Sequence, residues 1–210
     1  MKRRQVCKSV STAVILGIAA VMCCGFWGST EKDIDVKGIV SAAVVPFDYA
    51  KFKYFSENSG DIVAENMAEI LRDKTKWTCP DLDAVKAAMA ALDIPVKELM
   101  SEAQAKALGE KLGVDLVIFG DLPVYDEHEG SREILESNGG GFTENVRDLH
   151  VEYKIRFLRV SDGTLITTVS MERKERDTAK DPMQPDPPDQ QLRHATRSMA
   201  KKLVKRFMTE

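Results

Sequence analysis

The run Val114-Asp115-Leu116-Val117-Ile118-Phe119-Gly120 constrains this chain more than any other stretch. Leu116 to Phe119 is unbroken apolar sequence, so neither face of a strand built from it tolerates water. A central strand covered on both faces is therefore expected, continuing through Leu122, Val124 and Tyr125. The preceding segment carries its own helix signals. Ser101 and Gln104 form a capping box, strong helix formers fill Ala105 to Leu112, and Gly113 stands where a left-handed helix stop belongs.

Other elements can be placed around that strand. Ile39 to Pro46 reads as a first strand, apolar and β-branched, ended by a proline. A loop from Phe47 to Asn58 follows, and then a helix from Asp61 to about Lys74 whose Val63, Met67, Ile70 and Leu71 repeat at helical spacing. Thr75 to Thr78 is expected to be a short strand. Pro80 is expected to open a helix lined by Leu82, Val85, Met89 and Leu92, which Pro95 breaks. Asp126 to Asp148 is polar, contains Gly139-Gly140-Gly141, and reads as a long mobile excursion. Leu149 to Val160 alternates as a half-buried strand, Ser161-Asp162-Gly163-Thr164 signals a tight turn, and Leu165 to Met171 returns as its hairpin partner. Glu172 to Gln191 is charged and then proline-rich, which reads as an extended connection. The last helix is expected from Leu192 to about Met208, with Arg193, Arg197, Lys201, Lys202, Lys205 and Arg206 on its polar face.

The amino-terminal segment differs in kind. Met1 to Cys24 has a basic start, an apolar run from Val10 to Met22 and then small residues, the layout of an export signal. That run is shorter than the roughly 20 residues a membrane span needs, although a retained anchor helix is the alternative reading. Lys2, Arg3, Arg4 and Lys8 lie in it without an acid, and setting those four charges aside takes the formal net charge from −3 to −7. So acidic a body disfavours nucleic acid as a partner. With 210 residues, 43% of them hydrophobic and 30% charged, there is material for one well-buried domain besides the leader. The organisation expected is a leader over 1–23, a tether over 24–37 and a folded domain over 38–210. Of the four cysteines, Cys7, Cys23 and Cys24 fall in or beside the leader. Cys79 alone lies in the body, where a small buried apolar role suits it.

Sites of chemistry are sparse. His128, His150 and His194 are the only histidines, and no HExxH, GxSxG or phosphate-loop motif accompanies them. Asp126-Glu127-His128-Glu129 lacks the ligand rhythm of a calcium loop, and no zinc spacing is present. No enzyme activity, cofactor or metal is expected. Partner contact has two candidate surfaces. One is the aromatic loop with Phe47, Tyr49, Phe52, Tyr54 and Phe55, for which packing on its own core is the favoured alternative. The other is the basic helix face with Arg197, Lys201 and Lys205, whose alternative role is to neutralise nearby carboxylates.

Three motifs stand in a suggestive order: Ala43-Val44-Val45-Pro46-Phe47, then Leu112-Gly113-Val114-Asp115-Leu116-Val117-Ile118-Phe119-Gly120, then Ile155 to Ile166. With Val21-Met22-Cys23-Cys24-Gly25 as a lipobox, the chain resembles the bacterial envelope lipoprotein family of CsgG, LpoB, PelC and the TolB amino-terminal domain. The resemblance implies a three-layer α/β domain, a mixed β-sheet with flanking helices in the order β-α-β-α-α-β-β-β-α behind a lipoprotein signal. It also implies lipidation at Cys24, with Cys23 as the other acceptor, and an outer-membrane lipoprotein facing the periplasm. A non-catalytic adaptor for secretion, polysaccharide export or wall synthesis follows, bound to an envelope protein or to copies of itself. The family's other possibility, a CsgG-type secretion-channel subunit, needs membrane hairpins beside the late strands, and the charge of Asp126 to Asp148 and Glu172 to Lys180 opposes them.

Overall fold

Val117 and Ile118, adjacent in sequence, lie in two separate cores on opposite faces of a sheet. The computed structural model describes residues 34–48, 58–95, 98–137, 139–180 and 183–207, all within the unit Asp33–Glu210. The leader, Cys7, Cys23, Cys24, Tyr49, Phe52, Tyr54 and Phe55 lie outside the described residues. In chain order the elements are β1 (Ala42–Val44), α1 (Ser59–Thr75), α2 (Leu82–Ala90), α3 (Glu102–Leu112), β2 (Leu116–Leu135), β3 (Gly141–Arg159), β4 (Leu165–Lys180) and α4 (Pro188–Phe207). The sheet runs β1-β2-β3-β4, with β1 parallel to β2 and the other neighbours antiparallel.

The expected three layers are present. Val63, Met67 and Leu71 of α1 and Leu192, Met199 and Leu203 of α4 pack with Ile118, Ile155 and Phe157 on one face. Val85 and Met89 of α2 and Ala105 and Leu108 of α3 pack with Val117, Phe119 and Leu158 on the other. The capping box of α3 forms as read, Gln104 N–H donating to Ser101 Oγ and Ser101 N–H to Gln104 Oε1, and Gly113 closes the helix at φ 66°. Just beyond, Asp115 Oδ2 accepts from Val40 N–H, Ser41 N–H and Ser41 Oγ–H, while Asp115 N–H donates to Ser41 Oγ. This reciprocal clasp aligns β1 with the start of β2.

Several expectations need correction. Thr75 to Thr78 gives one isolated bridge, Thr78 to Ser41, because Lys76 turns left-handed at φ 63° to end α1. Pro80 precedes α2 by two residues, and Asp81 takes the N-cap position. The segment read as the end of a tether joins the body: Ile34 is buried and its N–H donates to Arg206 O.

The largest correction concerns the two segments read as loops. Asp126 to Leu135 continues β2, and Gly141 to Asp148 begins β3, the two paired residue by residue down to Leu135 with Gly141. Gly139, at φ 85°, sits in the tight turn between them, where Gly139 N–H donates to Glu136 O and Glu136 N–H to Gly140 O. Glu172 to Lys180 likewise belongs to β4, and the proline-rich stretch ends at Pro188, the first residue of α4, a place where a missing N–H costs little. These strands hold without an apolar face because their backbone ladder is complete and their side chains pair charge with charge.

A register shift between Asp121 and Val124 inserts one extra residue of β2 opposite β3. Pro123, with no N–H to give a ladder, lies in the bulge. Its effect is to change which residues face which layer. Ile118 faces α1 and α4 before the bulge, and Tyr125 faces them after it.

Candidate functional site

Beyond Tyr125 and Leu149 none of the residues 126–135, 141–148 or 171–180 is buried. A three-stranded ribbon thus leaves the helical layers. At about 3.3 Å per residue, the 20 residues of β2 extend roughly 60 Å from Leu116 to the turn at Glu136.

Strand register sorts the ribbon's charges onto two faces. Towards the α2 and α3 side stand Asp126, His128 and Arg132 of β2, Glu144, Asp148 and His150 of β3, and Glu172, Lys174 and Arg176 of β4. Arg176 holds Asp148 with two bonds of 2.6 and 2.8 Å. Arg132 holds Glu144 at 2.6 Å, His128 meets Asp126 at 3.1 Å, and His150 meets Glu172 at 2.9 Å. The Arg176 guanidinium keeps the Asp148 carboxyl below the usual range, and Arg132 does the same for Glu144. Cross-strand opposition of unlike charges is the sheet's counterpart of helical pairing, each pair modest in strength.

The opposite face is organised by Arg147. Its guanidinium reaches Glu127 at 3.2 Å and also pairs with Glu129, and it donates to the carbonyl of Asp186. Asn145 donates to Met183 O at 2.8 Å, and Asp186 N–H donates to Asp177. The connection 183–187 is thereby pinned along the ribbon before α4 begins. Partial desolvation pushes the Glu127 carboxyl up despite Arg147 beside it.

The sequence-derived candidates fare unevenly. Phe47 is fully buried, its ring against the backbone at Gly120, so it cannot meet a partner. Arg197 pairs with Glu69 at 2.6 Å and Arg193 with Glu65 at 3.8 Å, one turn apart on both helices. The basic face of α4 is in this part a seam to α1, while Lys201 and Lys205 remain exposed. Asp126-Glu127-His128-Glu129 is split by the strand, with Asp126 and His128 on one face and Glu127 and Glu129 on the other. Among the described residues no three His, Cys, Asp or Glu side chains are arranged to hold a metal ion. The ribbon itself was missed, since no apolar period marks its strands.

No protein-family model and no curated protein matches the chain. Solved structures similar to it include the LpoB C-terminal domain from Salmonella enterica, 13% identical over 67% of this chain and 87% of that one, at a TM-score of 0.42. The PelC dodecamer from Paraburkholderia phytofirmans is 14% identical over 82% and 89%, at 0.43. Lipoprotein GNA1162 from Neisseria meningitidis is 12% identical over 79% and 99%, at 0.45.

Proposed function

We propose that this chain is a non-catalytic adaptor of the bacterial envelope, anchored in the outer membrane by a lipid on Cys24 and facing the periplasm. Residues 1–23 are the leader removed on export, and Cys23 is the alternative acyl acceptor. Its role is to bind an envelope protein of secretion, polysaccharide export or wall synthesis. One observation carries the reading: the ribbon offers a long, ion-paired, water-facing arm on a helically covered domain. Such a surface suits recognition by charge complementarity, which gives specificity and encounter rate. Tyr49, Phe52, Tyr54 and Phe55 and the exposed Lys201 and Lys205 are further contact candidates.

Charge on both ribbon faces opposes the channel alternative. A strand crossing a bilayer presents an apolar side chain at every second position, and a basic residue at mid-bilayer costs roughly 2 to 4 kcal/mol. Asp126, His128 and Arg132 occupy one face of β2, and Glu127, Glu129 and Glu133 the other. Neither could face lipid.

The test uses the full chain produced in a bacterium with two membranes. Labelled palmitate should enter the wild type and be lost in Cys24→Ser. Loss in Cys23→Ser alone would move the anchor by one residue. Photo-crosslinkers at Ser131, Tyr54 and Lys201 should capture one envelope protein from intact cells. Capture only of further copies of the chain would replace the adaptor by a homo-oligomer, and stepwise conductance of the purified protein in planar bilayers would restore the channel.

A further inference from the structure

The described chain begins at one end of the sheet. Ile34 N–H donates to Arg206 O at the last turn of α4, Arg159 pairs with Asp35 at 3.7 Å, and Leu116 N–H donates to Ser41 O where β2 starts. The carboxyl ends of α1 and α4 meet at this same end, since Trp77 stacks on Phe207 with ring centroids 5.4 Å apart. The ribbon turn is at the opposite end of β2.

Basic residues gather where the chain begins. Lys37, Lys74, Lys76, Lys202 and Lys205 are all exposed there. The carboxylates among them are already engaged, Asp73 by Lys74 at 2.7 Å and Asp35 by Arg159. Among the described residues, no ion pair takes up Lys37, Lys76, Lys202 or Lys205. The ribbon is acidic: over 126–148 and 171–180 ten carboxylates stand against six lysines and arginines. The folded body is a charge dipole aligned with the ribbon.

Cys24 and Ile34 are ten positions apart, so an acyl chain on Cys24 is covalently tied within about 35 Å of the basic end. Resting on the lipid-anchor reading, we infer that the lysines of this end dock on anionic phospholipid headgroups and stand the ribbon away from the membrane. Juxtamembrane basic clusters are attracted by anionic leaflets over about a Debye length. The acidic ribbon is repelled by the same surface. Anchor and charge together therefore set an orientation that the lipid alone leaves free.

The experiment uses the acylated full chain in vesicles, with a donor dye on Ser131→Cys and an acceptor on a lipid headgroup. Vesicles are either all phosphatidylcholine or contain phosphatidylglycerol as well. Residue 131 lies roughly 50 Å along β2 from Leu116, beyond the range of a suitably short-ranged dye pair. Energy transfer should fall at least about two-fold on anionic vesicles and recover in about 1 M NaCl, where screening shortens to roughly 3 Å. Lys37→Glu/Lys202→Glu/Lys205→Glu, folded by its unchanged thermal midpoint, should shrink the difference between the vesicles to what repulsion of the ribbon alone gives. Equal transfer for the wild type on both, or a difference undiminished in the triple variant, overturns the docking. Flotation with neutral vesicles reports the anchor separately, so failure there refutes the lipid reading instead.

Discussion

Replacing Gly120 by alanine tests the packing at the heart of the sheet. A Cβ on Gly120 would stand 2.1 Å from Lys154 O, 3.1 Å from Lys154 C and 2.9 Å from Phe47 Cε1. The Phe47 ring is fully buried and cannot swing clear, and the carbonyl belongs to β3, which is hydrogen-bonded to strands on both sides. Relief requires β2 and β3 to separate by about 1 Å or the ladder to break locally. Overpacking a core costs typically about 1–3 kcal/mol, and a backbone obstacle places this substitution near 3 kcal/mol. For a chain of this size that is a fall of about 6–12 °C in thermal midpoint. Gly130→Ala on the ribbon is the matched control, since nothing lies within 4 Å of its added carbon. It should be neutral or gain up to about 1 kcal/mol by restricting the unfolded chain. Thermal and urea unfolding followed by circular dichroism measure both. Equal midpoints for the two variants would refute the contact geometry at Gly120.

Val117→Asp should place an unpaired carboxylate in the core shared with α3, destabilising by several kcal/mol; a soluble variant with native unfolding would contradict that burial. Asp115 is held below the ordinary carboxylate range, first by Val40 N–H and then by the Ser41 hydroxyl. Its folded pKa being lower than its unfolded one, it stabilises above about pH 4 and the contribution fades as pH falls through the folded value. Denaturation curves between about pH 5 and 2 should therefore flatten in Asp115→Asn, and an unchanged slope would dismiss the clasp. Arg147→Ala should free the connection 183–187, read as faster amide exchange there, and should also lower the thermal midpoint, because it leaves the largely covered Glu127 carboxylate without its partner. Unaltered exchange would show that the prolines alone place the connection.

The parts legible in the sequence are those where one local rule decides the outcome. Ser101, Gln104 and Gly113 delimit α3 by hydrogen bonds to their own neighbours, and Gly163 at φ 72° closes the β3–β4 turn for the same reason. Leu116 to Phe119 gives a central strand because no other placement hides side chains pointing both ways. Thr75 to Thr78 misled because β propensity says little about length, and Lys76 had to enter the left-handed region for α1 to stop where it does. Phe47 takes the core-packing alternative of the two readings, because Gly120, 73 positions later, leaves room for its ring.

The ribbon escaped for a deeper reason. Period-two alternation betrays a strand only when one face is dry, and here both are wet. Tyr125 and Leu149 are the last residues to show the alternation, and the bulge at Pro123 had already exchanged odd for even positions within β2. Past that point the determinant is not hydropathy but the match between Arg132 and Glu144, Arg147 and Glu129, and Arg176 and Asp148, each joining different strands. Such matches are visible only once the register is known, because residues 12, 18 and 28 apart carry them. Reversing one member, as in Glu144→Arg, should therefore disturb the ribbon locally without unfolding the body, whose two cores share none of these residues.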